Sequence, residues 1–237
     1  MPSIRIVLVE PKNEGNVGAI ARVMKNFGVE DLVLVRPCPL GAEARQRAMH
    51  GVDVLGSART VPDIEEATAD VDLLVATSGV ETSNEKRFAR ISIPPRDLAA
   101  RTSAMKGRVG ILFGREDFGL RDEDIRACDL LVTIPASKSY PILNVSHAAA
   151  ILLYELHAGR GSRTTTGPAS GAEKERLHEA FGALLASTDY PDHKRARTKV
   201  MFRRLLGRAV PTKWEFHALM GVFQRATKRI QRLERDR

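Results

Sequence analysis

The stretch IRIVLVEPKNEGNVGAIARVMKNFG, residues 4–28, decides the fold class. It opens on the apolar run Ile4–Val9, passes through polar residues and then changes period. Val17, Ile20, Ala21 and Met24 recur at i, i+3, i+4 and i+7 before Phe27-Gly28 ends the element. A short strand followed by an amphipathic helix accounts for this pattern. Runs like the first recur at Leu32–Val35, Leu73–Ala76, Val109–Phe113 and Leu130–Ile134. Continuous rather than alternating hydrophobicity marks a strand buried on both faces. Weaker helical patterns lie at Pro62–Thr68, Arg96–Thr102 and Asp122–Ala127, and Val52–Val61 has room for a further short strand. Strands alternating with helices over about 160 residues predict an α/β domain, a mainly parallel sheet with helices on both faces.

Past residue 158 the chain changes character. Residues 159–171, Gly-Arg-Gly-Ser-Arg-Thr-Thr-Thr-Gly-Pro-Ala-Ser-Gly, have the composition of a flexible linker. Residues 172–237 carry three amphipathic patterns and no strand signal. Leu177, Phe181, Leu184 and Leu185 form one apolar face; Thr198, Phe202, Leu205 and Leu206 form a second. Phe216, Leu219, Met220, Phe223, Thr227 and Ile230 line a third helix, behind Pro211 and a capping box from Thr212 to Glu215. The charge follows the same division. Residues 1–171 balance 21 Lys/Arg against 21 Asp/Glu, whereas residues 172–237 hold 16 basic and 8 acidic residues, the whole formal excess of +8. The reading is an α/β domain over 1–158, a linker over 159–171 and a basic helical extension over 172–237. Such an extension suits the phosphates of a folded RNA; a solvated bundle or a support for a dimer is the plainer alternative.

Several function classes lose support at once. A chain of 237 residues, 43% hydrophobic and 28% charged, folds around a core and is not disordered. The longest apolar run, Ala148–Tyr154, falls far short of the roughly 18 residues of a membrane span. The run Ile4–Val9 is too short for a signal-peptide core, so a cytoplasmic protein with no membrane partner is expected. Cys38 and Cys128 lie far apart and read as reduced, buried core residues. Neither G-x-G-x-x-G nor G-x-x-x-x-G-K-[ST] occurs, nor H-E-x-x-H or G-x-S-x-G, and no metal site is expected. Aromatics at 5% give little sign of a base-stacking platform.

Three loops at the carboxyl ends of expected strands carry the remaining chemistry, where open α/β sheets bind ligands. In Glu14-Gly-Asn-Val-Gly-Ala-Ile-Ala-Arg22, a helix beginning near Asn16 places Arg22 about 150° from the apolar stripe. Arg22 is therefore not a core residue. A bare Gly18 on the preceding turn would let a ligand approach the backbone, with Asn16 at the cap. Phe113-Gly-Arg-Glu-Asp-Phe-Gly-Leu120 sets a glycine at a strand end, then charges, then a second glycine. Ile134-Pro-Ala-Ser-Lys-Ser-Tyr-Pro-Ile-Leu-Asn-Val-Ser146 leaves a strand and enters a helix with an Asn cap, whose apolar face holds Val145, Ala148, Ala149, Leu152 and Leu156. Taken singly, these loops read as a solvated arginine, a polar turn and a core helix.

The ordered set N-x-G-x-x-x-R, F-G-R-E-D-x-G-L and I-P-A-x-x-x-Y-P-x-L-N-V-S resembles the SPOUT class of S-adenosylmethionine-dependent RNA methyltransferases. Within that class it is most similar to the TrmJ-type tRNA 2′-O-ribose methyltransferases. The resemblance is strong over residues 2–158 and fainter through Phe202-Arg-Arg-Leu-Leu-Gly-Arg-Ala and the last helix. It implies a trefoil-knotted α/β domain and a homodimer burying the helix after Asn144. It also implies S-adenosylmethionine as methyl donor, held by Thr77, Ser78, Gly79, Gly114, Ile134 and Ile142, Leu143, Asn144, Val145 and Ser146. The implied substrate is the first nucleotide of the tRNA anticodon loop, position 32, a cytidine or also a uridine. Arg22 is the implied catalytic residue, with Asn16, Glu116 and Asn144 orienting the ribose and loops. Arginine stays protonated in proteins, so a clamp on phosphate and oxygen suits Arg22 better than a general-base role. Many relatives have a serine where this chain has Ile142, which shifts donor or ribose positioning to Asn144, the backbone, Ser139 or Tyr140. That departure keeps one competing reading open, a non-catalytic RNA-binding module on the same fold.

Overall fold

A computed structural model describes residues 2–79, 91–159 and 168–235. The chain divides into two compact units, Met1–Thr165 and Thr166–Arg237. In the first, the elements run β1 (Ser3–Val9), α1 (Glu14–Asn26), β2 (Asp31–Val35), α2 (Ala42–Ala48), α3 (Val52–Gly56), β3 (Arg59–Val61), α4 (Ile64–Thr68), β4 (Leu73–Thr77), α5 (Pro95–Thr102), β5 (Arg108–Phe113), α6 (Asp122–Ala127), β6 (Leu130–Val132) and α7 (Val145–Ala158). The six strands form one sheet in the order β3-β2-β1-β5-β4-β6. Every pairing is parallel, as the βαβ alternation requires.

The unbroken apolar runs have a simple cause. Ile6 and Leu8 face one core with Leu32, Leu34, Val75, Val109 and Ile111, under Val17, Ile20 and Met24 of α1 and Leu152 and Leu153 of α7. Val7 and Val9 face a second core with Val33, Val35, Ala76 and Leu112, under Ala67 of α4 and Ile125 of α6. Both faces are covered, so successive residues are all apolar; each fully buried aliphatic contributes about 1.5–3 kcal/mol. Arg5 is the exception within β1. Its guanidinium, 4% exposed, meets Asp31 at 2.8 Å and Asp70 at 2.5 Å and donates to the Ala67 carbonyl at 2.9 Å, so the buried charge is paired.

The structure departs from the sequence reading at several places. Residues 52–56 of the suggested strand are helical, and only Arg59–Val61 pair, at the sheet edge beside β2. The sixth strand stops at Val132, before Pro135. Helix α2 has no counterpart in the sequence reading because its cap is remote: the Glu14 carboxylate accepts from Gly41 N at 2.5 Å and Ala44 N at 3.2 Å. Cys128 is buried, but Cys38 is only half-buried; both are free thiols. β6 lies between β4 and Ile93: Ser78 N donates to the Val132 carbonyl on one side, and Thr133 N to the Ile93 carbonyl on the other.

The second unit is helical: α8 (Gly171–Ala186), α9 (Asp192–Ala209) and α10 (Lys213–Arg235). Leu177, Phe202, Leu206 and Phe216 form its core, with Phe181, Leu219, Met220 and Phe223 against it. Phe181 and Phe202 stack at 4.1 Å between ring centroids. Leu205, read as part of the α9 face, is 45% exposed. The Thr212–Glu215 capping box is formed, with Thr212 N to Glu215 at 2.6 Å and Glu215 N to Thr212 Oγ1 at 3.3 Å. Of the stretch read as linker, residues 160–167 lie outside the described residues. Its end is ordered: Ala169 is buried and donates to the Pro211 carbonyl at 2.7 Å, and Ser170 caps α8 with Glu173. A local capping box outweighs the small-residue composition there.

Candidate active site

Parallel strands deliver all their carboxyl ends to one edge of the sheet. The chain lays β2 and β3 on one side of β1 and β5, β4 and β6 on the other, so the order reverses between β1 and β5. A crevice forms at such a reversal because the connecting loops diverge there. Here the two loops are tied together by one side chain. The Glu116 carboxylate, after β5, accepts from the backbone N–H of Lys12 at 3.0 Å and of Asn13 at 3.2 Å, after β1.

The same carboxylate begins a relay of amides. Asn16 Nδ2 donates to Glu116 Oε1 at 3.0 Å, and Asn144 Nδ2 donates to Asn16 Oδ1 at 3.1 Å. Asn144 Oδ1 then accepts from Ser146 N at 2.8 Å and Ser146 Oγ at 2.7 Å. A carboxylate only accepts, so it fixes which way the Asn16 amide faces, and Asn16 in turn fixes Asn144. The result joins three loops, with Asn144 as the N-cap of α7. Burial pulls the Glu116 carboxyl upward, but the Asn16 amide and the backbone N–H groups of Lys12 and Asn13 hold it below the ordinary range.

Asn16, Glu116 and Asn144, selected from separate motifs, are thus brought into one network. Arg22 is not part of it: the side chain is exposed on α1 and makes no hydrogen bond or ion pair among the described residues. Two details of the first loop require correction. The N-cap of α1 is Asn13, whose Oδ1 accepts from Asn16 N at 3.1 Å; Asn16 sits in the first turn and is released to reach Glu116. Gly18 is not an open approach for a ligand. It is buried, and a Cβ there would collide with the Ala44 carbonyl, so the glycine lets α1 and α2 pack in backbone contact.

The residues expected at a donor pocket fall into two groups. Ile142 lies over Gly79, where an added Cβ would stand 2.8 Å from its Cδ1, which brings the loop before α7 onto the end of β4. Thr77 Oγ1 donates to the Leu112 carbonyl at 2.8 Å and Ser78 N to the Val132 carbonyl at 3.0 Å, fixing the β4 end against both neighbours. Leu143 is half-buried beside the Asn144 cap, and Val145 and Ile134 pack on the core of the α1 face. Gly114 has a different neighbour, the backbone of Gly119 and Leu120, within its own loop. Thr133, 6% exposed, keeps a buried hydroxyl with no hydrogen-bond partner among the described residues.

A charged cluster beside the relay escaped the sequence reading. Asp117 accepts from Lys12 at 2.6 Å and Arg115 at 2.9 Å, and these two cations hold its carboxyl far below the ordinary range. Glu10 meets Arg36 at 2.6 Å, Arg115 at 3.3 Å and Arg121 at 3.5 Å. Only the run of three charged residues at Arg115-Glu-Asp117 hinted at it. Cys38 faces the same region; burial, then the Glu116 charge, push its thiol up. Among the described residues no group of three His, Cys, Asp or Glu could hold a metal ion, and no helix is long and apolar enough to cross a membrane.

The model of the SpoU rRNA methylase family matches residues 3–154. The chain belongs to the SpoU rRNA methylase family. It is a methyltransferase by that membership, and the matched span contains the sheet, the relay and Arg22. A family member from Methanocaldococcus jannaschii, a tRNA (cytidine-2′-O-)-methyltransferase TrmJ, is 40% identical over 227 residues, covering 93% of this chain and 98% of that protein. The crystal structure of TrmJ from Z. mobilis superposes with a TM-score of 0.69 at 29% identity, covering 94% of this chain and 98% of that one. The SpoU methyltransferase AviRb from Streptomyces viridochromogenes, solved with the cofactor AdoMet, shares the fold at a TM-score of 0.53, with 23% identity and coverage of 68% and 62%.

Proposed function

We propose that this SpoU-family methyltransferase transfers a methyl group from S-adenosylmethionine to a ribose 2′-oxygen of tRNA, at position 32 of the anticodon loop, on cytidine and with uridine as a second substrate. The observation that carries the reading is the Glu116–Asn16–Asn144–Ser146 relay, which ties together the three motif loops at the sheet's switch point. The names of the TrmJ relatives, matched over nearly their whole lengths, support the tRNA ribose as substrate. A trefoil knot, a cytoplasmic location and a homodimer through α7 belong to the same reading. The dimer is supported by Ile151 and Tyr154, which α7 leaves exposed.

The residues present suit a donor held largely by backbone groups. Gly79 carries no Cβ beneath Ile142, and the Thr133 hydroxyl is buried without a described partner; Thr77, Ser78, Gly114, Ile134 and residues 142–146 complete the binding set. S-adenosylmethionine supplies an electrophilic methyl on sulfur with a neutral thioether as leaving group. The protein's work is then alignment and charge. Asn144, its amide fixed by Asn16 and its oxygen by Ser146, retains one N–H to orient the ribose. Arg22 clamps the adjoining phosphate and stabilises charge developing on the 2′-oxygen, whose proton passes to phosphate or solvent. The basic helical unit would add RNA phosphate contacts.

Transfer of labelled methyl to unmodified tRNA transcripts, followed by nuclease mapping and alkali treatment, tests the reading. A single alkali-resistant linkage at position 32 is expected. Label on a base, or alkali-labile label, refutes 2′-O-methylation. RNA binding without donor binding or transfer would favour the non-catalytic module.

A further inference from the structure

The loop that carries Glu116 also carries Phe118, and the fold treats the two oppositely. Glu116 is turned inward onto the β1–α1 connection, while Phe118 is 53% exposed. An isolated exposed aromatic is ordinary on a protein surface. This one is mounted. The Arg115 guanidinium lies over one face of the ring, 4.2 Å from its centroid. That guanidinium is itself held by Asp117 at 2.9 and 3.0 Å and by Glu10 at 3.3 Å. Below the ring the backbone is closed by reciprocal bonds, Arg115 N to the Gly119 carbonyl at 3.2 Å and Gly119 N to the Arg115 carbonyl at 2.8 Å. Gly119 takes φ 75°, and Gly114 packs on it where no Cβ fits, so the loop has little freedom left to lose. Three further cations, each about half exposed, share the carboxylates that hold Arg115: Lys12 pairs with Asp117, and Arg36 and Arg121 with Glu10.

The geometry points to Phe118 as a stacking platform for an unpaired nucleobase next to the methylated nucleotide, with Lys12, Arg36 and Arg121 taking the adjoining phosphates. The inference rests on the RNA substrate proposed above. A flat apolar ring fixed in advance, backed by one cation whose carboxylate partners hold three more, is what a base with its phosphate needs. Stacking tolerates any base, so Phe118 sets the register of the RNA loop rather than the identity of the base. It also revises the expectation from composition: one aromatic suffices when it is rigid and placed two residues from Glu116.

Phe118→Leu and Phe118→Trp separate stacking from simple apolar cover. Each is compared with the unaltered protein on an anticodon stem-loop bearing 2-aminopurine beside the methylated position. Unaltered protein and Phe118→Trp should quench the fluorophore on binding. Phe118→Leu should lose the quench and bind RNA about tenfold more weakly, with KM raised, donor affinity kept and kcat at saturating RNA within about threefold. Equal quenching and equal KM for Phe118→Leu would overturn the inference. A protein that quenches through Phe118 yet transfers no methyl would uphold the stacking and overturn the proposed reaction.

Discussion

Replacing Asn16 by Asp changes almost no volume but substitutes an acceptor for the donor that faces Glu116 Oε1 at 3.0 Å. Two carboxylates at that distance repel by about 5.5 kcal/mol at an effective dielectric of 20, and about 1.4 kcal/mol at that of water. The half-buried pair lies between these limits. Through 1.36 kcal/mol per unit, the repulsion raises the affinity of the folded pair for one proton by about one to four pKa units. The folded state then binds more protons than the unfolded chain. Stability therefore falls as pH rises through the carboxylate range and is regained once the pair shares a proton. The variant should melt several degrees below the unaltered protein at pH 7.5, at about 2–4 °C per kcal/mol, and the gap should narrow by more than half near pH 4.5. Asn16→Ala, which removes the relay without adding charge, should show a gap that varies little with pH. Melting curves over this range and single-turnover methyl transfer between pH 5 and 8 make the measurement. An Asn16→Asp variant with the unaltered protein's melting temperature at pH 7.5 would refute the contact and the amide orientation deduced from it.

Other perturbations separate packing from chemistry. Gly18→Ala should lower the melting temperature by several degrees in differential scanning calorimetry, because the methyl meets the Ala44 carbonyl and α1 must move off α2. Arg22→Ala should reduce turnover at saturating RNA by about a hundredfold or more with no loss in thermal stability, and Arg22→Lys should restore little of it because a point charge does not replace the fork. Near-normal turnover in both would remove Arg22 from the mechanism. Converting Lys228 and Arg229 of α10 to Gln should weaken tRNA binding and reduce the slope of log K against log salt by about 1 to 2, whereas an unchanged slope would show that this face does not meet phosphate.

What the sequence made legible was whatever a local pattern can specify. The doubly buried strands announce themselves because each side chain of β1 from Ile6 to Val9 enters one core or the other. The Thr212–Glu215 box and the Asn144 cap are likewise local. Helix α2 was not legible: only Ala44 and Ala48 are buried in it, and its first turn is satisfied by Glu14, distant in sequence. The relay shows both sides. Asn16, Glu116 and Asn144 could each be selected from a motif, but nothing local says that one amide bridges the other two residues. Residues 100 and 128 positions apart are brought together by strand order, and strand order is a property of the whole sheet.

The spacing Asn16-x-Gly18-x-x-x-Arg22 has a geometric meaning that a motif alone conceals. From Asn16 to Arg22 an α-helix rises about 9 Å and turns through about 240°, so the two side chains leave α1 in different directions. Asn16 reaches the end of β5 through Glu116, Gly18 admits the backbone of α2, and Arg22 stands exposed. One motif thus serves three separate physical demands: a polar contact across the switch point, a close helix crossing and a cation presented to solvent. This separation is why the three substitutions are expected to fail differently. Loss at Asn16 depends on pH when a charge is introduced, loss at Gly18 appears as instability, and loss at Arg22 appears in turnover alone. In the proposed reaction, bringing Arg22 and the Asn144 amide to the same ribose would then fall to the bound RNA or to a second copy of the chain. No bond among the described residues makes that connection within one chain.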